Sequence, residues 1–378
     1  MFGLITAFLV SFAITLLIIR TKHLHKQFSG DSDFSGPQKF HQTLVPRIGG
    51  ISIASGLFAA ILIKTIDIGS ENQGVALLLC AIPTFAIGLT EDLTKKIGVR
   101  RRLLFTAGSA LCAIYLLGLQ ITKLDIPIID FLFTLPLFGV LLTVVAVTGL
   151  ANAYNIIDGF NGLSSMIAII TLLALTYVAF LLGDTTIIFL ALVMAGAIFG
   201  FFIWNYPYGL IFLGDGGAYL IGFWIASLSI WLCNRHPEVS PWFALLINGY
   251  PIMETLFTIY RRKIHQGKSP GLPDGIHFHT LIYRRILLAK NDNSALAANA
   301  RTAPYLWIVA ALCIIPAVLW WQSTPILMGA CALFVVSYLW LYTQIVQFKT
   351  PKWFVWVDRY QQWVRYMALA CISPLLKL

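Results

Sequence analysis

The sequence predicts an all-α, polytopic integral membrane protein: one helical bundle of about eleven transmembrane helices, N-terminus outside, active site on cytoplasmic loops. Three observations predict it. Of 378 residues, 58% are hydrophobic and only 11% charged, against about 25% charged in a typical soluble domain. The mean hydropathy is +0.82. Apolar runs close to the length that crosses hydrocarbon recur at 3–19, 48–66, 75–90, 103–121, 131–150, 163–182, 186–204, 212–233, 241–260, 303–321 and 325–347. Backbone groups in lipid must be satisfied within the chain, and runs this continuous form helices rather than the alternating strands of a barrel.

Charge sets the orientation. The first run has no basic residue before it and Arg20 and Lys22 just after it. That order is the reverse of a cleaved signal peptide, so the run is expected to be a retained span with its N-terminus outside. The inside segments are then 20–47, 91–102, 151–162, 205–211, 261–302 and 348–378, and they carry 23 of the 26 Lys and Arg. Outside lie only Lys64, Lys123 and Arg235. This asymmetry agrees with an odd number of spans. Topology and attraction to anionic membrane lipid account for the net charge of +10, with no nucleic-acid partner required.

Residues 1–378 read as a single domain with no internal repeat. The six cysteines lie in or beside apolar runs without a CxxC pair, and behave as small buried hydrophobes. In the tail 348–378, Trp353, Trp356, Tyr360 and Trp363 alternate with Lys352, Arg359 and Arg365, which suits a cytoplasmic helix lying in the interface.

Chemistry-capable residues gather on the inside loops. "GLTEDLTKK" places Glu91 and Asp92 at the end of the third run, with Lys95, Lys96, Arg100, Arg101 and Arg102 beyond. "NAYNIIDGFNGL" presents Asn152, Asn155 and Asp158; "FLGDGGAYLIGF" presents Asp215; a loop rich in Gly and Pro holds Asp274, His277 and His279. The chain's three Asp-Gly pairs, at 158, 215 and 274, fall on this one face. Singly such pairs are ordinary turn chemistry. Asp92, Asp158 and Asp215, however, sit within a turn or two of apolar spans, where an ionised carboxylate persists only beside a cation, a metal or a wet cleft. Carboxylates with glycine turns and basic neighbours suit a magnesium–pyrophosphate ligand, because Mg²⁺ takes one or two protein carboxylates and fills its shell with phosphate oxygens and water. His277 and His279, two apart, share one side of an extended backbone and could donate to phosphate. No Cys or third His lies near enough for a zinc site.

Together the motifs resemble the polyprenyl-phosphate N-acetylhexosamine-1-phosphate transferases, over about residues 40–290. The resemblance rests on "PRIGG" (46–50), the acidic pair, N-x-x-N-x-x-D-G-x-x-G-L, "FLGD" and the Asp-x-x-His-x-His loop, in that order. It implies transfer of an N-acetylhexosamine 1-phosphate, GlcNAc-1-phosphate or a related deoxy-sugar, from a UDP-sugar to undecaprenyl phosphate. UMP is released and cell-surface polysaccharide synthesis begins, at the bacterial inner membrane. The implied cofactor is Mg²⁺, with Mn²⁺ the alternative; a homodimer is compatible. Carried onto this chain, the resemblance gives Asp215 as metal ligand; the reading of the residues adds Asp158 or Asp92 as an assisting ligand. The resemblance matches Asn152, Asn155 and Asp158 to the nucleotide site, His277 and His279 to the substrate phosphates, and His41 to a family histidine. Joined with the reading of the loops, the expected catalytic set is Glu91, Asp92, Asp158, His277 and His279, and the expected substrate contacts are His41, Asn152, Asn155, Arg101, Arg102 and Asp274.

Two departures matter. The family's Asp-Asp pair is Glu91-Asp92 here, leaving the split of roles within the pair open, and the usual His-x-His-His is His277-Phe278-His279-Thr280. The three adjacent histidines of the muramyl-pentapeptide branch are absent, which argues against that substrate. A transporter or flippase is the rival from another class; it predicts ionisable residues at mid-span, and the fourth to eighth runs are nearly free of them. A non-catalytic scaffold would tolerate loss of Asp215.

Overall fold

The computed structural model describes residues 2–31, 45–68, 73–269, 271, 274–287 and 295–349. The helices follow the apolar runs. In chain order they are α1 (Phe2–Arg20), α2 (Lys22–Ser29), α3 (Gly49–Ile68), α4 (Gln73–Thr94), α5 (Val99–Leu117), the single turn α6 (Pro127–Asp130), α7 (Pro136–Ile156), α8 (Leu163–Leu181), α9 (Thr185–Asn205), α10 (Gly214–Arg235), α11 (Pro241–Ile247), α12 (Gly249–Tyr260), α13 (Phe278–Ile282), α14 (Ala295–Leu319) and α15 (Thr324–Val346). A two-residue antiparallel pairing, Gly30–Asp31 with Val45–Pro46, joins the segments before α3.

Among the described residues nine helices are long and apolar enough to span a membrane, and α11 with the helical stretch from Gly249 to His265 passes the same test only as a pair bent by 75°, a broken span or a re-entrant loop. The remaining apolar run is α5, a 19-residue helix whose first turn carries Arg100, Arg101 and Arg102. It is not among the nine, so nine to ten helices of the described residues, against the eleven expected, are long and apolar enough to span. The chain is a multi-pass membrane protein. The aromatic tail from residue 350 onward lies outside the described residues.

Helix α10 is the axis of the bundle. It packs against α3, α4, α7 and α8, and almost all of it is buried. Van der Waals packing and hydrogen bonds, rather than hydrophobic exclusion, hold helices together in lipid, so small residues line the close crossings. Gly50 is the clearest case: a Cβ there would sit 2.3 Å from the backbone nitrogen of Gly217. The same approach is tied by main-chain bonds. Gly49 and Gly50 donate to the carbonyls of Phe212 and Leu213 at 3.0 and 2.9 Å, and Phe212 donates to Pro46 at 2.8 Å. These bonds fix the "PRIGG" segment beside the first turn of α10. At the opposite end of the bundle Asp184 accepts from the Thr186 and Ile187 amides at the start of α9 and pairs with Arg235 and His236.

Candidate active site

Asp215 opens α10 and is almost wholly buried. Its Oδ1 accepts from the Arg47 guanidinium at 2.5 Å and from Asn155 Nδ2 at 3.1 Å, while its Oδ2 faces Arg102 in a second ion pair. Asp92, from the last turns of α4, does not point into open space. Its two oxygens accept the backbone N–H groups of Asp215 and Gly216 at 2.7 and 2.8 Å, and Arg47 Nε lies 3.4 Å from Oδ1. The first N–H groups of a helix have no partner within it and carry its positive dipole end, so a carboxylate placed there satisfies both. Asp92 thus caps α10 and aims Asp215.

Asn152 and Asn155 lie three apart near the end of α7 and share a face of that helix. Asn155 reaches Asp215, and Asn152 accepts from Tyr219 Oη at 3.0 Å, whose ring lies beneath the Arg102 guanidinium. Asp158 follows in the turn after α7, within electrostatic reach of Arg47 and Asp92. Burial pushes its carboxyl up to about 7, with Arg47 opposing the shift.

The histidine loop closes the other side. A Cβ on Gly159 would lie 2.8 Å from His279 Nε2, so the loop bearing Asp158 and the loop bearing the histidines touch here. The His277 and His279 rings stack, centroids 5.1 Å apart and 16° from parallel. The shared side expected from their spacing is kept, although His277 precedes α13 and His279 lies within it. Burial, with His277 as neighbour, pulls His279 down to about 3, so its imidazole is neutral. Asp274 pairs with Arg261. Burial alone would raise its carboxyl; the Arg261 hydrogen bond and His277 outweigh it and hold Asp274 below the ordinary value.

Three sequence-derived candidates stand apart. Glu91 turns its carboxylate to the Ile97 backbone N–H at 2.5 Å, bracing the turn between α4 and α5. Arg101 is exposed and, with Lys96, Arg100, Ser269 and Gly271, lines an open basic cleft. His41 lies outside the described residues. Conversely, Arg47 bridges both buried aspartates although the sequence reading gave it no role, and buried Glu254 stands behind His277. The signal for each was present: Arg47 sits inside "PRIGG", and Glu254 is an acid within an apolar run.

Among the described residues no three His, Cys, Asp or Glu side chains converge on a point that would enclose a metal. Asp215, with the Asn155 amide beside it and Asp158 nearby, is a partial donor set. Carboxylates of this kind could contribute oxygens to an ion shared with substrate, as Mg²⁺ takes; in this structure both Asp215 oxygens face guanidinium groups and Asn155 turns its NH₂ to one of them. Buried His279 Nδ1 and two nitrogens of Arg261 find no protein hydrogen-bond partner, as fits a site that receives an anion.

Residues 75–233, which include Asp92, Asn152, Asn155, Asp158 and Asp215, match the model of glycosyl transferase family 4. An undecaprenyl-phosphate alpha-N-acetylglucosaminyl 1-phosphate transferase of Yersinia pestis is 30% identical over 259 residues, covering 65% of this chain and 68% of that protein. The chain belongs to glycosyl transferase family 4. A second relative, a probable undecaprenyl-phosphate N-acetylglucosaminyl 1-phosphate transferase of Bacillus subtilis strain 168, is 29% identical over 283 residues, covering 74% of this chain and 77% of that protein. The corresponding alpha-N-acetylglucosaminyl enzyme of Escherichia coli K12 is 29% identical over 259 residues, with coverage of 65% and 67%.

Proposed function

We propose that this glycosyl transferase family 4 member transfers GlcNAc-1-phosphate from UDP-GlcNAc to undecaprenyl phosphate at the cytoplasmic face of a bacterial inner membrane. The observation that carries the reading is the convergence of Arg47, Arg102 and Asn155 on Asp215, next to the Asp158 turn and the histidine loop. Two guanidinium groups, with two unpartnered Arg261 nitrogens by the histidine loop, suit a pyrophosphate, and the names of the relatives supply the sugar and the lipid.

A phosphate oxygen of the lipid attacks the β-phosphorus of the UDP-sugar. The new P–O bond forms as the bond from that phosphorus to the bridging oxygen breaks, and UMP leaves with the electron pair. Phosphoryl transfer depends on positioning and charge neutralisation more than on covalent help. Arg47 and Arg102 supply positive charge, and Asp92 keeps Arg47 and Asp215 in register, the latter through the start of α10. Asp158, whose carboxyl sits near neutrality, is suited to take a proton from the acceptor phosphate. Mg²⁺ held by Asp215 would add Lewis-acid neutralisation of the pyrophosphate.

The test is a transfer assay on purified protein in lipid, with Mg²⁺ and a panel of labelled UDP-N-acetylhexosamines, with and without undecaprenyl phosphate. Lipid-dependent transfer from UDP-GlcNAc that EDTA abolishes supports the reading. Transfer from a different donor changes the sugar, and no transfer by folded protein overturns the reading.

A further inference from the structure

Glu254 lies on α12, between the bend at Asn248 and the wide turn of Arg261–His265, and is 1% exposed. A carboxylate inside a span is costly, and one that persists has partners and a task. All its contacts converge on the histidine loop and the last described helix. Oε1 lies 2.9 Å from His277 Nδ1 and accepts the Phe278 backbone N–H at 3.1 Å; Oε2 accepts the Tyr338 hydroxyl of α15 at 2.7 Å. Thr258 Oγ1, one turn further along α12, lies 3.2 Å from the same imidazole nitrogen. On the other edge of the ring, His277 Nε2 is 3.9 Å from Asp274 Oδ2, and its face stacks on His279.

The pattern decides which edge of His277 works. A carboxylate has no proton to give at ordinary pH, so the hydrogen in the Glu254 contact sits on Nδ1. That fixes the tautomer and turns Nε2 away from α12, toward Asp274 and the site. The Phe278 bond adds a main-chain tie that sets the start of α13, so the same oxygen controls both ring angle and backbone angle. Tyr338 holds the second oxygen and prevents the carboxylate from rotating off the ring. Carboxylates that accept one imidazole N–H orient the other nitrogen for its ligand or substrate, and their loss misplaces it.

We propose that Glu254 is a positioning residue for the transfer reaction, acting through His277 Nδ1 and itself held by Tyr338. The inference rests on the transferase reading above. A residue that acts only by presenting His277 is silent once His277 is gone, which a general loss of packing would not be.

The experiment compares wild type, Glu254→Gln, Tyr338→Phe, His277→Asn and the doubles Glu254→Gln/His277→Asn and Tyr338→Phe/His277→Asn in the same lipid assay. Misplacing a reacting group by about 1 Å costs about 100-fold, so Glu254→Gln is expected to lower kcat by roughly that factor and to move the donor KM by less than about threefold. In the His277→Asn background the same change is expected to cost less than about twofold. Tyr338→Phe leaves the carboxylate in place. It is expected to lower kcat by a smaller factor, about three- to tenfold, again only when His277 is present, so it decides the matter if Glu254→Gln does not fold. Full activity in Glu254→Gln overturns the proposal, as do losses that multiply undiminished in the His277→Asn doubles. If wild type is active and these variants behave so, the positioning role alone fails; if folded wild type transfers nothing, the transferase reading fails and takes this role with it.

Discussion

Asp92 and Asp215 are joined through a helix end: both Asp92 oxygens accept N–H groups from the first turn of α10, one of them the amide of Asp215 itself, at 2.7 Å. The residue that faces the substrate side is thereby aimed by one that does not. Asp92→Asn keeps one acceptor but turns an amide NH₂ toward a backbone N–H. With Asp92 1% exposed, the unsatisfied donors should cost on the order of 1–3 kcal/mol. Thermal unfolding in detergent measures that loss. Activity should fall with it, by about 100-fold, because Asp215 shifts.

Arg47 contacts both aspartates, by Nη2 to Asp215 and by Nε toward Asp92. A lysine offers one point charge and cannot span the two. Arg47→Lys is therefore expected to behave nearly as badly as Arg47→Ala, with kcat/KM for the nucleotide donor down by about 100-fold, since buried paired carboxylates lose their partner. Steady-state kinetics on the two variants checks this. Near-wild-type activity in Arg47→Lys would remove the bridging role.

The Asp158 turn and the histidine loop meet at Gly159, where an added Cβ would stand 2.8 Å from His279 Nε2. Gly159→Ala must push the loops apart, and activity should drop at least about tenfold through displaced groups. Gly108→Ala in α5 is the control: nothing lies within 4 Å of its Cβ. It should be neutral in activity and, in a helix interior, stabilising by about 0.5–1 kcal/mol.

Acid should unfold the protein partly through His279. Its folded value of about 3 lies below the ordinary histidine value of 6.5. The unfolded chain takes up a proton as pH falls through 6.5, whereas the folded protein resists until about pH 3. Stability from this group is complete above pH 6.5 and declines steadily across that window. Thermal midpoints between pH 7.5 and 4 should fall less steeply in His279→Gln than in wild type.

Much of the fold was legible because lipid leaves few choices: apolar runs of spanning length become helices, and ten of the eleven expected runs each fall on one, while the run 241–260 is divided at Asn248 between α11 and α12. The site was legible where short motifs carry several polar residues, at 152–158, 215 and 274–279. Neighbouring candidates were harder to separate. Adjacent helical residues point about 100° apart, so Asp92 faces α10 while Glu91 faces the Ile97 turn, and Arg102 reaches Asp215 while Arg101 stays exposed. Nothing in a one-dimensional reading tells which of two like neighbours turns inward. Arg47 and Glu254 acquire meaning only from partners 168 and 23 positions away, Asp215 and His277.

The most direct test of the central claim is the turnover of Asp215→Asn against wild type, with labelled UDP-GlcNAc, undecaprenyl phosphate and Mg²⁺, on protein shown to be folded by its elution and thermal midpoint. Asn keeps the shape and one acceptor oxygen but loses the charge that Arg47, Arg102 and a divalent cation would share. Wild type is expected to show lipid-dependent transfer and the variant to lose about 1,000-fold, the scale of removing a principal electrostatic group. Transfer by Asp215→Asn within a few-fold of wild type would contradict it.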